Sequence, residues 1–229
     1  MKELKSYQEM IEGGFAETFA RFRTLLLDYN QRCNLTSVTD EREILYKHFL
    51  DSVAGENLFP HGARVAEVGS GAGFPSIPLK IVRDDLSFTL FESIGKKCDF
   101  LSFAIRELNF SGMEVRNLRA EDGGREEKYR ERYDVCCARA VARLNTLAEY
   151  CLPLVKVGGR FIAYKGPAEE EVKEAERAIE TLGGKLKETV KFSLPENAGE
   201  RTLVVIEKIR KTPQKYPRGR GKERSAPIV

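Results

Sequence analysis

Tryptophan is absent from the 229 residues, and histidine occurs twice, as His48 and His61. So small a stock of imidazole argues against a histidine-built metal site. The five cysteines, Cys33, Cys98, Cys136, Cys137 and Cys151, are odd in number and show no C-x-x-C spacing. That excludes both a disulfide framework and the usual zinc ligand pattern. Cys136 and Cys137 stand side by side in the apolar run "YDVCCARA", where small buried thiols are expected. No apolar stretch approaches the roughly 20 residues that cross a bilayer. The opening "MKELKSYQEM" lacks the apolar segment of a secretory leader. The expectation is a cytoplasmic protein with no metal and no membrane partner, acting as a monomer.

What is present is an ordinary globular balance, 41% hydrophobic and 32% charged, in a chain long enough to bury a sizeable core. The net charge of +3 conceals an asymmetry. From Lys208 to the C-terminus there are eight Lys and Arg against Glu223 alone, so the rest of the chain is net acidic. Residues 7–29 place apolar side chains at Tyr7, Ile11, Phe15, Phe19, Phe22, Leu26 and Tyr29, spacings of one amphipathic helix. A second helix is expected over "EREILYKHFLDSV", with Asp40 as its cap and Glu43 three residues later. From residue 64 short apolar runs ("RVAEV", "SFTLFE", "MEVRN", "YDVCCA", "GRFIAY") alternate with loops and helical patterns, which builds a mostly parallel sheet. "KLKETVKFSL" and "RTLVVIEKI" then read as an antiparallel hairpin. The resulting division is an N-terminal helical extension packed on the core (1–60), a catalytic domain (61–209) and a flexible basic tail (210–229) rich in Pro and Gly.

The stretch "RVAEVGSGAGFPSIPL" (64–79) sets three glycines between a strand and a helix, where doubly wound folds bind nucleotides. Gly69-x-Gly71-x-Gly73 is one residue tighter than the dinucleotide fingerprint and lacks the Lys-Ser/Thr of a P-loop. Glu67, two residues before Gly69, would repel a pyrophosphate but suits the ammonium end of S-adenosylmethionine, unless it merely caps a backbone amide of the loop. Glu92 ends the next strand, where an acid accepts ribose hydroxyls. Ala120 and Glu121 in "NLRAEDGG" would lie near an adenine. Together these features support a Rossmann-like α/β class I methyltransferase with a seven-stranded sheet.

The motifs "NLTSVTD", "KHFLDS", "EVGSGAGFPSIPLKIV", "FESIGKKCDFL", "RAE", "ARAVARL", "YKG" and "ERTLVVI" follow one another as in the bacterial 16S ribosomal RNA guanine-N7 methyltransferases, the glucose-inhibited division protein B family. The resemblance spans about residues 15–209, and "KYPR" is similar to an extension of some members. It implies methyl transfer from S-adenosylmethionine to N7 of one guanosine in 16S ribosomal RNA, with the RNA or the small ribosomal subunit as partner. Matching nominates Gly69, Phe74, Ala120, Glu121 and Arg139 for the cofactor, beside Gly71 and Glu92 from the loop and strand-end reading. It nominates Asn34, His48, Arg119 and Lys165 for positioning the substrate. Ser76 stands where the family often has glycine, and Glu92 where many members have aspartate.

Guanine N7 carries its own lone pair, so no general base is needed. Catalysis would come from in-line positioning and electrostatics. Arg139 and Lys165 would bind phosphate or the cofactor's carboxylate, or be surface cations; His48 fits a packed residue as well as an RNA contact. Three other readings stay open at this stage: a methyltransferase of proteins or small molecules, an assembly factor that binds RNA without catalysis, and a NAD-dependent oxidoreductase, the last disfavoured by the loop spacing and Glu67.

Overall fold

The computed structural model describes residues 4–229. The N-terminal helices are α1 (Leu4–Glu12), α2 (Ala16–Asn30), α3 (Glu41–Ile44) and α4 (Asp51–Val53). The alternating part runs β1 (Arg64–Val68), α5 (Ser76–Val82), β2 (Ser87–Glu92), α6 (Gly95–Glu107), β3 (Met113–Asn117), α7 (Ala120–Gly123), β4 (Tyr133–Arg139), α8 (Leu144–Cys151), β5 (Val155–Lys165) and α9 (Glu169–Thr181). The chain closes with β6 (Gly184–Ser193), β7 (Glu200–Lys208) and α10 (Lys222–Ser225).

The seven strands form one sheet in the order β3-β2-β1-β4-β5-β7-β6. The first five are parallel, and β7 runs antiparallel to both β5 and β6. β1, β2 and β4 are covered on both faces by helices, which is why they read as apolar runs rather than alternating patterns. The strand order reverses between β1 and β4, so the loops after these strands part and leave a crevice at the carboxyl edge.

Two differences from the sequence expectations lie before the sheet. The single helix expected over 7–29 is two helices, broken at Gly13 and Gly14, the poorest helix formers apart from proline. Its aromatic stripe is nevertheless continuous in space, and Phe22 reaches Phe49 (5.7 Å between ring centres) and Phe74 (5.5 Å). The second helix begins as expected, with Asp40 Oδ1 accepting from the amides of Arg42 and Glu43. Glu43 does not complete a capping box; it pairs with Lys47. Residues 45–50 then form a π-helical turn between α3 and α4. Such a turn widens the helix locally and shifts which side chains share a face.

The tail is also not the free end that its composition suggests. Thr212, Tyr216 and Glu223 are buried. Arg130 donates to the carbonyls of Thr212 and Tyr216 at 2.8 Å, and Arg125 to that of Pro217 at 3.0 Å. Arg218 grips Glu149, which is 1% exposed, through both its backbone amide (2.8 Å) and its guanidinium (2.7 Å). Composition predicts disorder when a segment lacks apolar surface, but this one is held by buried ion pairs and carbonyl contacts instead.

Candidate active site at the carboxyl edge of the sheet

The glycine loop leaves β1 and is tied to β2, with Gly69 N donating to Phe91 O at 2.8 Å. Gly69 has φ +68°, and a Cβ there would come within 2.5 Å of the Val141 side chain. Gly71 has φ +56°, but a Cβ would meet nothing closer than the Gly69 carbonyl at 3.8 Å. Gly69 therefore serves packing and Gly71 leaves an open backbone face for a ligand.

Glu92 closes this loop from the side. Its two oxygens accept from the amides of Gly71 (2.9 Å) and Ile94 (2.8 Å), and it is nearly buried. Its sequence position suggested ribose binding; the structure adds that it fixes the loop's shape. The loop carrying Ala120 and Glu121 reaches the same edge because Leu118 N donates to Glu92 O at 3.1 Å. The open Gly71 backbone, a carboxylate beside it and an adjacent loop fit an adenosyl group bearing no phosphate.

Glu67 behaves differently from its sequence reading. It is fully buried, and the Ser70 and Ser76 hydroxyls and the Ser76 amide lie beside a carboxylate that makes no well-formed hydrogen bond. Burial pushes its pKa up to about 7, with the hydroxyls of Ser76 and Ser70 and the Arg139 guanidinium countering only part of the effect. A carboxyl so poorly ionised repels a pyrophosphate weakly, and the charge argument against dinucleotides loses most of its force.

Beyond the loop lies a cavity of about 430 Å³, walled by Val38, Lys47, His48, Asp51, Arg139, Ala140, Tyr164, Lys165, Gly166, Pro167, Glu171 and Arg201. Phe74 joins it to the glycine loop. His48 stacks on the Phe74 ring at 4.4 Å, and the Arg139 guanidinium lies 4.9 Å from the ring centre. Arg139 donates to Asp51 Oδ2 (2.9 Å) and to Lys47 O (3.1 Å). It thus belongs to the cavity wall and reaches the loop through Phe74. Lys165 Nζ is held by Glu171 (2.7 Å) and the Ala142 carbonyl (3.0 Å).

His48 Nδ1 lies 3.1 Å from Lys47 O, and its Nε2 lies 2.9 Å from Thr36 Oγ1. Arg139 Nη2 also approaches Nδ1 at 3.3 Å, and Thr36 Oγ1 also accepts from Val38 N. Burial and the Arg139 charge push its pKa down to about 4. The imidazole is neutral at physiological pH and fully engaged.

Of the residues nominated from sequence, His48, Arg139 and Lys165 meet at the cavity, while Gly69, Gly71, Phe74 and Glu92 meet at the loop. Asn34 is exposed and outside the cavity wall. Arg119 is 69% exposed, faces Glu121 at 3.8 Å and is also outside it. Sequence reading missed Lys47, Asp51, Glu171 and Arg201. Three of these lie in or beside motifs already singled out, but the sheet order and the π turn were needed to bring them together. No helix of the described residues is long and apolar enough to cross a membrane. Among the described residues no cluster of three His, Cys, Asp or Glu could hold a metal ion.

The backbone is similar to solved structures of proteins that use or bind S-adenosylmethionine. A Thermotoga maritima O-methyltransferase superposes with TM-score 0.54 at 14% identity, covering 82% of this chain and 73% of that one. M. jannaschii TYW2, solved in complex with AdoMet, superposes with TM-score 0.57 at 14% identity, covering 76% and 80%. At such identities the likeness concerns the fold. Sequence relatives are much nearer. The ribosomal RNA small subunit methyltransferase G of Lactobacillus acidophilus is 45% identical over 99% of this chain and 96% of its own length. That of Staphylococcus epidermidis is 47% identical over 93% and 90%. The sequence model described as rRNA small subunit methyltransferase G matches residues 16–204, and the chain belongs to that family.

Proposed function

We propose that the protein transfers a methyl group from S-adenosylmethionine to N7 of a guanosine in 16S ribosomal RNA, acting as a cytoplasmic monomer. The observation that carries this reading is Phe74: one side chain of the glycine loop packs against His48 and Arg139, two residues that line a cationic cavity, so the loop and the cavity adjoin. When bound, the cofactor supplies an electrophilic methyl on a sulfonium. Gly69, Gly71 and Glu92 shape its seat, and the Ala120–Glu121 loop borders it.

The cavity's chemistry suits an acceptor nitrogen that needs no deprotonation. His48 is neutral and held at both nitrogens. Asp51 and Glu171 are each committed to cations. What remains is a set of cations able to hold phosphate and a shaped space for a base, so rate enhancement comes from alignment. Arg119 and Asn34, exposed beyond the cavity, would meet flanking RNA. Incubation with radiolabelled S-adenosylmethionine and unmethylated small-subunit RNA, followed by nucleoside analysis, should yield labelled 7-methylguanosine. Label in another nucleoside, or none, would overturn the reading.

A further inference from the structure

β4 and β7 flank β5, so the Arg139 and Arg201 backbones stand roughly 10 Å apart across the sheet edge. Both side chains nevertheless converge on one carboxylate. Asp51 Oδ2 accepts from Arg139 Nη1 at 2.9 Å, and Asp51 Oδ1 lies 3.3 Å from Arg201 Nε. Asp51 arrives from above, at the start of α4 just after the π turn. The turn is anchored over β5, with Tyr164 Oη donating to Ser52 O at 3.1 Å and Ser52 Oγ donating to His48 O at 2.6 Å.

We infer that Asp51 is a positioning residue for methyl transfer: it bridges Arg139 and Arg201 and aims both guanidinium groups across the acceptor cavity. Asp51 is 4% exposed and both its oxygens are occupied by the guanidinium groups, so it acts through the arginines. Around it, Lys47, Arg139, Lys165 and Arg201 face Asp51 and Glu171, and with Lys47 paired to Glu43 the cavity keeps an excess of one positive charge. Without the carboxylate the two guanidinium groups would repel each other and lose their common anchor. Methyl transfer moves positive charge from the sulfonium to the purine, and a guanidinium released toward the base opposes that movement. Added positive charge, by contrast, does not weaken capture of a polyanion.

This inference rests on the methyltransferase reading, and its signature is a separation of rate from affinity. Asp51→Asn keeps the side-chain shape and removes the charge. It should bind unmethylated small-subunit RNA at least as tightly as the wild type, while kcat at saturating RNA and S-adenosylmethionine falls fivefold or more. Arg201→Lys keeps the charge and loses the Nε contact; it should show the same separation, and it serves if the Asp51 variant melts early. The double variant should be no slower than the slower single one, because both changes break one bridge. A smaller loss of kcat in either folded variant, RNA affinity that falls with unchanged kcat, or losses that multiply in the double variant would overturn the inference. If the wild type itself produces no labelled 7-methylguanosine, the functional reading fails first, and that outcome is distinct from active wild type with equally active variants.

Discussion

Glu67 and Glu92 leave adjacent strands of the sheet, with Glu67 paired to Leu90 two residues short of Glu92, yet their surroundings differ sharply. Glu92 has two backbone amides. Replacing it with alanine should weaken S-adenosylmethionine binding by roughly 1–3 kcal/mol, through lost ribose contacts and a loosened loop. Calorimetric titration of the folded variant checks this, and unchanged affinity would mean the adenosine lies elsewhere. Glu67 is fully buried with only weak polar contacts, and folding raises its pKa from 4.5 to about 7. As pH rises the unfolded chain gives up this proton first, so the native state loses stability between about pH 4.5 and 7. The loss is on the order of 3 kcal/mol. Glu67→Gln abolishes that dependence. Its melting temperature should gain on the wild type as pH rises from 4.5 to 8, whereas parallel curves would show that Glu67 ionises as readily in the fold as outside it.

At the scale of elements, the docked tail changes what its removal would do. Read as a free end, residues 212–229 could be deleted without consequence for the cofactor site. Docked, they neutralise Glu149 on α8 and supply Thr212, whose hydroxyl accepts from the buried Lys208 at 2.8 Å and donates to Leu182 O at 2.7 Å. Arg218→Ala leaves Glu149 with the backbone amide alone. It should destabilise the protein by roughly 2–4 kcal/mol, near the cost of breaking a buried pair. Arg220→Ala, an exposed position two residues away, should stay within about 0.5 kcal/mol. Urea denaturation separates the two, and equal midpoints would show that the Arg218 contact is not maintained in solution.

For the whole molecule, the chain's basicity is concentrated in a folded surface rather than a loose arm. Arg220, Lys222 and Arg224 are exposed, and Arg224 Nη2 lies 3.5 Å from the carbonyl of Val141, the residue packed against Gly69. Arg224 is therefore fixed beside the carboxyl edge, the side from which the proposed function brings RNA. Neutralising all three should weaken RNA binding and reduce the salt slope of log affinity by roughly 2, at about 0.7 per single-strand phosphate contact. An unaltered slope would leave the tail with a purely structural task.

Much of the fold was legible because it rests on local signals. The apolar runs marked β1 to β5, "KLKETVKFSL" and "RTLVVIEKI" marked the β6–β7 hairpin, and the glycine spacing marked the loop after β1. The cofactor loop was legible for the same reason: its glycines, Phe74 and Glu92 are specified within one βα unit each. The acceptor cavity is not local. Asp51, Arg139, Lys165 and Arg201 come from four elements spread over 151 positions of sequence, and only the strand order 4-5-7 with a π turn above it makes them neighbours. Likewise the charge state of Glu67 and the docking of the tail depend on what buries them. Sequence by itself determined the elements and where the glycine loop lies, through periodicity and backbone conformation; tertiary structure alone decided which charges meet, because desolvation and ion pairing act through space.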